Sequence, residues 1–126
     1  MKYCVYSRCY FENNYLTYFI EHYINLGFHK IIILHTGGCK YDLPIKYSNL
    51  VDIHYLINNG NENEFNSNHD HIIKKSDFDW VLWVDNDELL LLCEKYKTID
   101  DYVNEKLLIN NNINAFYFRW GNGGKI

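Results

Sequence analysis

Between Lys30 and His35 the chain reads Lys-Ile-Ile-Ile-Leu-His. A run this short, and apolar at every central position, has no polar face to offer to water. It is the pattern of a strand covered on both sides, as in a parallel sheet flanked by helices. Whatever this chain folds into must bury that strand twice over, so the segments around it are read for strands and crossover helices.

They supply both. Lys2–Ser7 is a short β-branched and aromatic run, read as a first strand. Asn13-Asn14 can cap a helix whose apolar residues Leu16, Phe19, Ile20, Tyr23 and Ile24 recur at helical spacing, with Gly27 as its stop. Lys30–His35 is then the second strand, broken by Thr36-Gly37-Gly38, and Leu50–Ile57 reads as a third. A weaker helix is predicted over Glu62–Lys75, a fourth strand over Trp80–Val84, a helix over Ile99–Leu108 capped by Thr98, and a fifth strand over Ala115–Arg119. Strands alternating with helices give an α/β fold with a parallel, Rossmann-like sheet. Such sheets bind ligands outside the carboxyl ends of their strands, at a switch point in strand order. The chemistry is therefore expected just after Ser7, His35, Ile57 and Val84.

With 126 residues, 48% of them apolar, the chain is expected to form one domain around one core. A formal charge of −4 argues against a nucleic-acid partner. No run approaches the ~18 apolar residues that cross a bilayer, and Met1-Lys2 leads straight into a segment containing Arg8 rather than into a signal peptide. A cytosolic chain with reduced thiols at Cys4, Cys9, Cys39 and Cys93 is the expectation. Neither Cys4-x4-Cys9 nor His69-x-His71 has the paired spacing of a zinc site.

The fourth strand ends abruptly in Asp85-Asn86-Asp87-Glu88. Asp-x-Asp alone says little, and the chain has a second copy in Asp77-Phe-Asp79. That copy precedes the strand, where its charges keep a turn in water. Asp85-x-Asp87 follows it, at the ligand edge. Carboxylates crowded there repel one another unless a cation lies between them, and their hard oxygens suit Mg²⁺ or Mn²⁺. A solvated acidic turn after a core strand is the plain alternative. Trp80 and Trp83 read as sheet-packing residues rather than sugar platforms.

A hydrophobic strand followed by Asp-x-Asp is also how haloacid-dehalogenase-like phosphatases open, with the first aspartate as nucleophile. Against that reading, the motif lies late in the chain, and Leu89 replaces the small or hydroxyl residue expected there. The downstream pair Asp100-Asp101 sits at a predicted helix start, where it is a natural cap.

Taken together, the motifs resemble family 92 glycosyltransferases and related members of family 2. Arg8-Cys-Tyr-Phe-Glu-Asn13 resembles that family's arginine and Glu-Asn after the opening strand, and Phe19–Ile33 resembles its segment of helix, Leu-Gly and apolar strand. Asp79–Leu89 is similar to its Asp-Trp-strand-Asp-x-Asp-Glu signature, and Phe118–Gly121 to its Trp/Arg strand before a glycine loop. One departure is that the second strand ends in Leu34-His35-Thr36-Gly37 where the family carries an acidic Asp/Asn-Ser-Asp sequence facing the nucleotide.

The resemblance implies a GT-A fold and transfer of a sugar from a nucleotide diphosphate, a UDP-sugar above all, to a sugar or glycan acceptor with Mn²⁺ or Mg²⁺. It places Asp87 on the metal, Asp85 on the metal or the donor ribose, Glu12 towards base and ribose, and Glu64 and Asn68 among the donor contacts. Arg8 either joins them or pairs with an acid near the same edge. Glu88 orients the turn, and no residue is assigned as catalytic base. The resemblance further implies a larger enzyme, with the acceptor half largely absent from residues 1–126. A half-fold of that kind would expose apolar surface around Phe116, Phe118 and Trp120 and favour self-association. A non-catalytic nucleotide-sugar-binding remnant is the other outcome of the same resemblance.

Overall fold

A computed structural model describes residues 1–9, 13–36, 40–55 and 78–119. The chain divides into two compact units, Met1–Leu89 and Leu90–Ile126. The first is built on four strands, β1 (Tyr3–Cys9), β2 (Lys30–His35), β3 (Val51–Tyr55) and β4 (Trp80–Trp83), with one helix, α1 (Asn13–Asn25), between β1 and β2. The strands are all parallel and lie in the order β3-β2-β1-β4.

β2 is the doubly covered strand that its composition demands, and every residue from Ile31 to His35 is buried. Register separates the two faces. Tyr6 lies opposite Ile32 and Trp83, and Arg8 opposite Leu34, so the even-numbered residues of β1 and β2 share a side. Cys4, Tyr6, Ile32 and Leu34 form one cluster there, with Phe78 and Val81 packed against it. On the other face the Tyr3 ring meets Phe28 edge-on at 6.2 Å, Phe28 meets Tyr23 at 5.4 Å, and Tyr23 meets Phe19 at 4.8 Å. These contacts join β1 to the apolar stripe of α1, in which Leu16, Phe19, Ile20 and Tyr23 are fully buried. Tyr15 and Tyr18, off the stripe, remain exposed.

The end of α1 shows why Gly27 stands where it does. The Gly27 N–H donates to the Ile24 carbonyl and the Phe28 N–H to the Tyr23 carbonyl, with Gly27 at φ 89°. This is the pair of bonds that closes a helix through a left-handed residue, with Phe28 folding back onto Tyr23. A side chain at Gly27 would strain that φ. His29 then exchanges two bonds with Tyr3, donating its N–H to the Tyr3 carbonyl at 2.8 Å and accepting the Tyr3 N–H on Nδ1 at 3.1 Å. Those bonds set the register in which β2 enters beside β1.

The second unit contains α2 (Ile99–Ile109). Thr98 caps it as expected: its hydroxyl accepts from the Asp101 N–H, and the Asp101 carboxylate accepts from the Thr98 N–H. Such a reciprocal cap stabilises a helix by about 1 kcal/mol. Tyr96 donates to the Glu105 carboxylate, which also pairs with Lys95 at 3.2 Å.

Three expectations change. The fifth strand over Ala115–Arg119 does not form. Phe116 and Phe118 do share a side, as a strand pattern would have them, but both rings pack on Tyr102 of α2, at 5.5 and 5.6 Å. The alternation serves side-chain packing and not a ladder. Both rings are half-buried, and Tyr117 between them is the exposed one. The third strand starts at Val51, one residue later than read, and the fourth is shorter than read, with Val84 outside β4 although its N–H still bonds the Tyr6 carbonyl at 3.2 Å. The expected helix over Glu62–Lys75 lies outside the described residues. A 3-10 turn at Ile45–Tyr47, entered through Pro44, was not foreseen.

Candidate functional site

Strand order places the site. From β1 the chain steps to β2 and on to β3 on one side, then returns to add β4 on the other side of β1. The order reverses between β1 and β4, and a crevice opens at the carboxyl ends of strands where their order reverses. Cys9 and Trp83 end those two strands, and Asp85-Asn86-Asp87-Glu88 follows directly.

The acidic segment is a closed turn. The Glu88 N–H donates to the Asp85 carbonyl at 3.0 Å, and the Glu88 carboxylate reaches back to accept the Asp85 N–H at 2.8 Å. Glu88 is thus committed to the turn, the role read for it from sequence. The Tyr23 hydroxyl of α1 donates to the Glu88 carbonyl at 2.8 Å. Asn86 is buried, 1% exposed, and its amide donates to the Cys9 thiol at 3.7 Å. Asp85 and Asp87, on either side of it, are exposed. The neighbouring edge is tied down too: the N–H and the hydroxyl of Thr36 both donate to the Cys9 carbonyl, at 2.9 and 3.2 Å.

Of the residues singled out from sequence, Asp85 and Asp87 stand together on this turn. Arg8 is half-buried one residue before the end of β1, on the face shared with Tyr6 and Trp83. Because the ladder continues through Val84 to Tyr6, the chain leaving β4 runs alongside Ser7 and Arg8. Glu12, Glu64 and Asn68 lie outside the described residues, and so does Trp120. Among the described residues, no three His, Cys, Asp or Glu side chains gather as a metal-binding group. The other acidic copy has a different part, since the Asp79 carboxylate accepts the Lys2 N–H at 2.7 Å beside the start of the sheet. Trp83 packs on Tyr6 with ring centroids 4.9 Å apart and is still about half exposed.

Sequence reasoning missed two residues here. Asn86 reads as the variable middle of Asp-x-Asp, and nothing in the sequence marks it as buried. His35 stands in the sequence only as a departure from an acidic pattern. It is 2% exposed at the end of β2 and stacks at a tilt on Tyr55, with centroids 4.9 Å apart. Burial holds its pKa below the ordinary 6.5, because the charged ring would lose its hydration. The unfolded chain then binds the proton better than the fold does. The contribution of His35 to stability is complete above pH ~6.5 and is lost as pH falls through the lower folded value. Urea denaturation from pH 8 to 5 should show a decline that flattens in His35→Phe; equal slopes in both proteins would mean that other groups govern it.

Cys4, Cys9 and Cys93 form no disulfide. Cys4 and Cys9 are buried and Cys93 is exposed, and Cys39 lies outside the described residues. Burial, with Asp52 adding to it, pushes the Cys4 thiol up to about 12, so Cys4 is an inert core residue. No helix among the described residues is long and apolar enough to cross a membrane.

An all-parallel sheet in the order β3-β2-β1-β4 with an acidic turn at its switch point is a Rossmann-like α/β architecture. The sequence matches no protein-family model and no curated protein. The fold is similar to that in the crystal structure of residues 1–349 of S. aureus TarS, a glycosyltransferase, with a TM-score of 0.59 and 18% identity over 88% of this chain and 33% of that one. The chain has a glycosyltransferase-like fold and spans about a third of the length of that structure. At this identity the likeness is one of fold.

Proposed function

We propose that the chain is the nucleotide-sugar-binding part of a divalent-metal-dependent glycosyltransferase, with the family 92-like motifs naming the nearest kind. The observation that carries this reading is the Asp85-x-Asp87 turn at the carboxyl edge of β4, beside the reversal in strand order. The likeness of fold to a glycosyltransferase supports it.

The donor set fits the ion. Asp85 and Asp87 offer only oxygen, both are exposed, and a backbone closed by Glu88 presents them two residues apart. Mg²⁺ and Mn²⁺ bind through one or two carboxylates and complete their shells with water and substrate phosphate. Bound there, the cation would offset the negative charge that grows on the leaving diphosphate as the sugar departs. The chain's own residues do the rest of the holding. Asp87 binds the ion, and Asp85 binds the ion or the donor ribose. Arg8 stands at the same strand edge, where its guanidinium can draw the diphosphate. Glu12, Glu64 and Asn68 complete the donor contacts by resemblance, and an acceptor hydroxyl is the second substrate.

The test is thermal melting with UDP-sugars, UDP and other nucleotides, with and without Mn²⁺. A ligand at about 100 times its Kd stabilises a fold by about 2.7 kcal/mol. The expected result is a rise in Tm that needs Mn²⁺ and uridine together. Equal shifts for every nucleotide, with or without metal, would remove the donor site from this edge.

A further inference from the structure

The Asp85-x-Asp87 pair is an unusual piece of chain in one respect: between two exposed carboxylates lies a side chain that is 1% exposed. Here the middle one points inward and donates its amide to the thiol of Cys9, the last residue of β1, across 77 positions of sequence.

We infer that Asn86 is the positioning residue of the site, a buried pin that holds the acidic turn against the end of β1 and thereby fixes where Asp85 and Asp87 point. The inference rests on the metal-site reading above and adds a role that reading does not contain.

The bond from Asn86 is one of five that hold this turn, and they divide the labour. Glu88 closes it on itself through the Asp85 carbonyl and N–H. Val84 to Tyr6 ends the ladder just before it, and Tyr23 holds its far end through the Glu88 carbonyl. None of these reaches the arc between Asp85 and Glu88, where the carboxylates are. The Asn86 amide does. Two like charges two residues apart push their backbones apart, and a turn closed only at its ends relieves that strain by swinging outwards. A cation site that uses two carboxylates needs their oxygens converged before the ion arrives, since convergence achieved during binding is subtracted from affinity. The buried amide supplies the convergence. Burial also makes it directional, because a primary amide taken from water keeps the acceptor it has found.

The choice of acceptor fits the role. A thiol is a weak acceptor, but Cys9 is itself held: its side chain is fully buried and its carbonyl receives both Thr36 donors. The pin is set at the end of β1, where Thr36 ties β1 and β2 together.

The experiment compares wild type with Asn86→Ala, Cys9→Ala and Cys9→Ser in two measurements. The first, independent of any metal, is amide hydrogen exchange. In Asn86→Ala and in Cys9→Ala the Asp85 and Glu88 amides should exchange at least about fivefold faster, the worth of one buried hydrogen bond. The amides of Ile31–Leu34 should not change, and Cys9→Ser, which keeps an acceptor, should behave as wild type. The second is Mn²⁺ affinity read from the spin signal of the free ion, which should weaken about tenfold in Asn86→Ala and Cys9→Ala with no added loss in the double variant. Unchanged exchange at Asp85 and Glu88 would overturn the pin, whatever the metal does. Faster exchange with unchanged Mn²⁺ affinity would overturn its role in the site. If wild type itself binds no Mn²⁺, the metal reading fails, and with it the site role of Asn86, while the exchange data still decide whether the pin exists. Should Asn86→Ala fail to fold, the two Cys9 variants carry the same comparison.

Discussion

Asp87→Asn is expected to abolish the Mn²⁺-dependent part of nucleotide-sugar stabilisation and to leave the fold intact. With donor at about 100 times its Kd the loss is about 2.7 kcal/mol of apparent stability. The fold survives because Asp87 is exposed and its carboxylate is not among the bonds that close the turn. Removing one of two neighbouring negative charges relieves repulsion, so the unliganded protein should melt at the same temperature or slightly higher. Asp77→Asn, in the other acidic copy, is the control and should change nothing beyond about 0.5 kcal/mol. The measurement is paired melting curves with UDP-sugar, with and without Mn²⁺. Variants that behave alike would assign the metal to the wrong aspartates.

The second large effect is structural. Phe19→Ala is expected to cost about 3–5 kcal/mol, against a total of about 5–15 kcal/mol for an ordinary domain. Phe19 is fully buried in α1 and packs edge-on against Tyr23, so its removal leaves a cavity between helix and sheet. Tyr23 also holds the Glu88 carbonyl, so the site should loosen as the core does. Tyr18, its neighbour in sequence, is 73% exposed, and Tyr18→Ala should stay within about 0.5 kcal/mol. Urea denaturation of the two variants tests which face of α1 carries the fold; similar midpoints would contradict the orientation of the helix.

How far the sequence led is clearest in particular residues. The run Ile31–Leu34 announced a doubly covered strand because nothing polar interrupts it. Leu16, Phe19, Ile20 and Tyr23 announced a helix face, and Gly27 and Thr98 marked helix ends by chemistry that acts locally. Each of these signals is contained in a dozen residues or fewer. Strand order is not, because β4 joins β1 from the far end of the unit, and no local pattern says which side it takes. Ala115–Arg119 misled for the opposite reason: alternating aromatics look the same whether they stack across a sheet or onto one tyrosine of a helix. At the site, Asp85 and Asp87 were legible from their position after a core strand. Asn86 was not, since a polar residue between two acids gives no hint that it is the buried one.

The place of β1 in the sheet has a kinetic consequence. Its partners are β2, which follows after one helix, and β4, paired as Tyr3 with Trp80. The first pairing closes a short loop; the second must close one nearly as long as the whole unit, and long loops are the slow and costly ones to close. β1, α1 and β2 therefore form the part that can gather first, and β4 arrives late with the acidic turn attached. Interactions made after the folding barrier govern how fast a protein comes apart and leave its rate of assembly nearly untouched. The turn that carries Asp85 and Asp87 is then the last element to be built and the first to be released, and a donor bound there would act as a brake on unfolding.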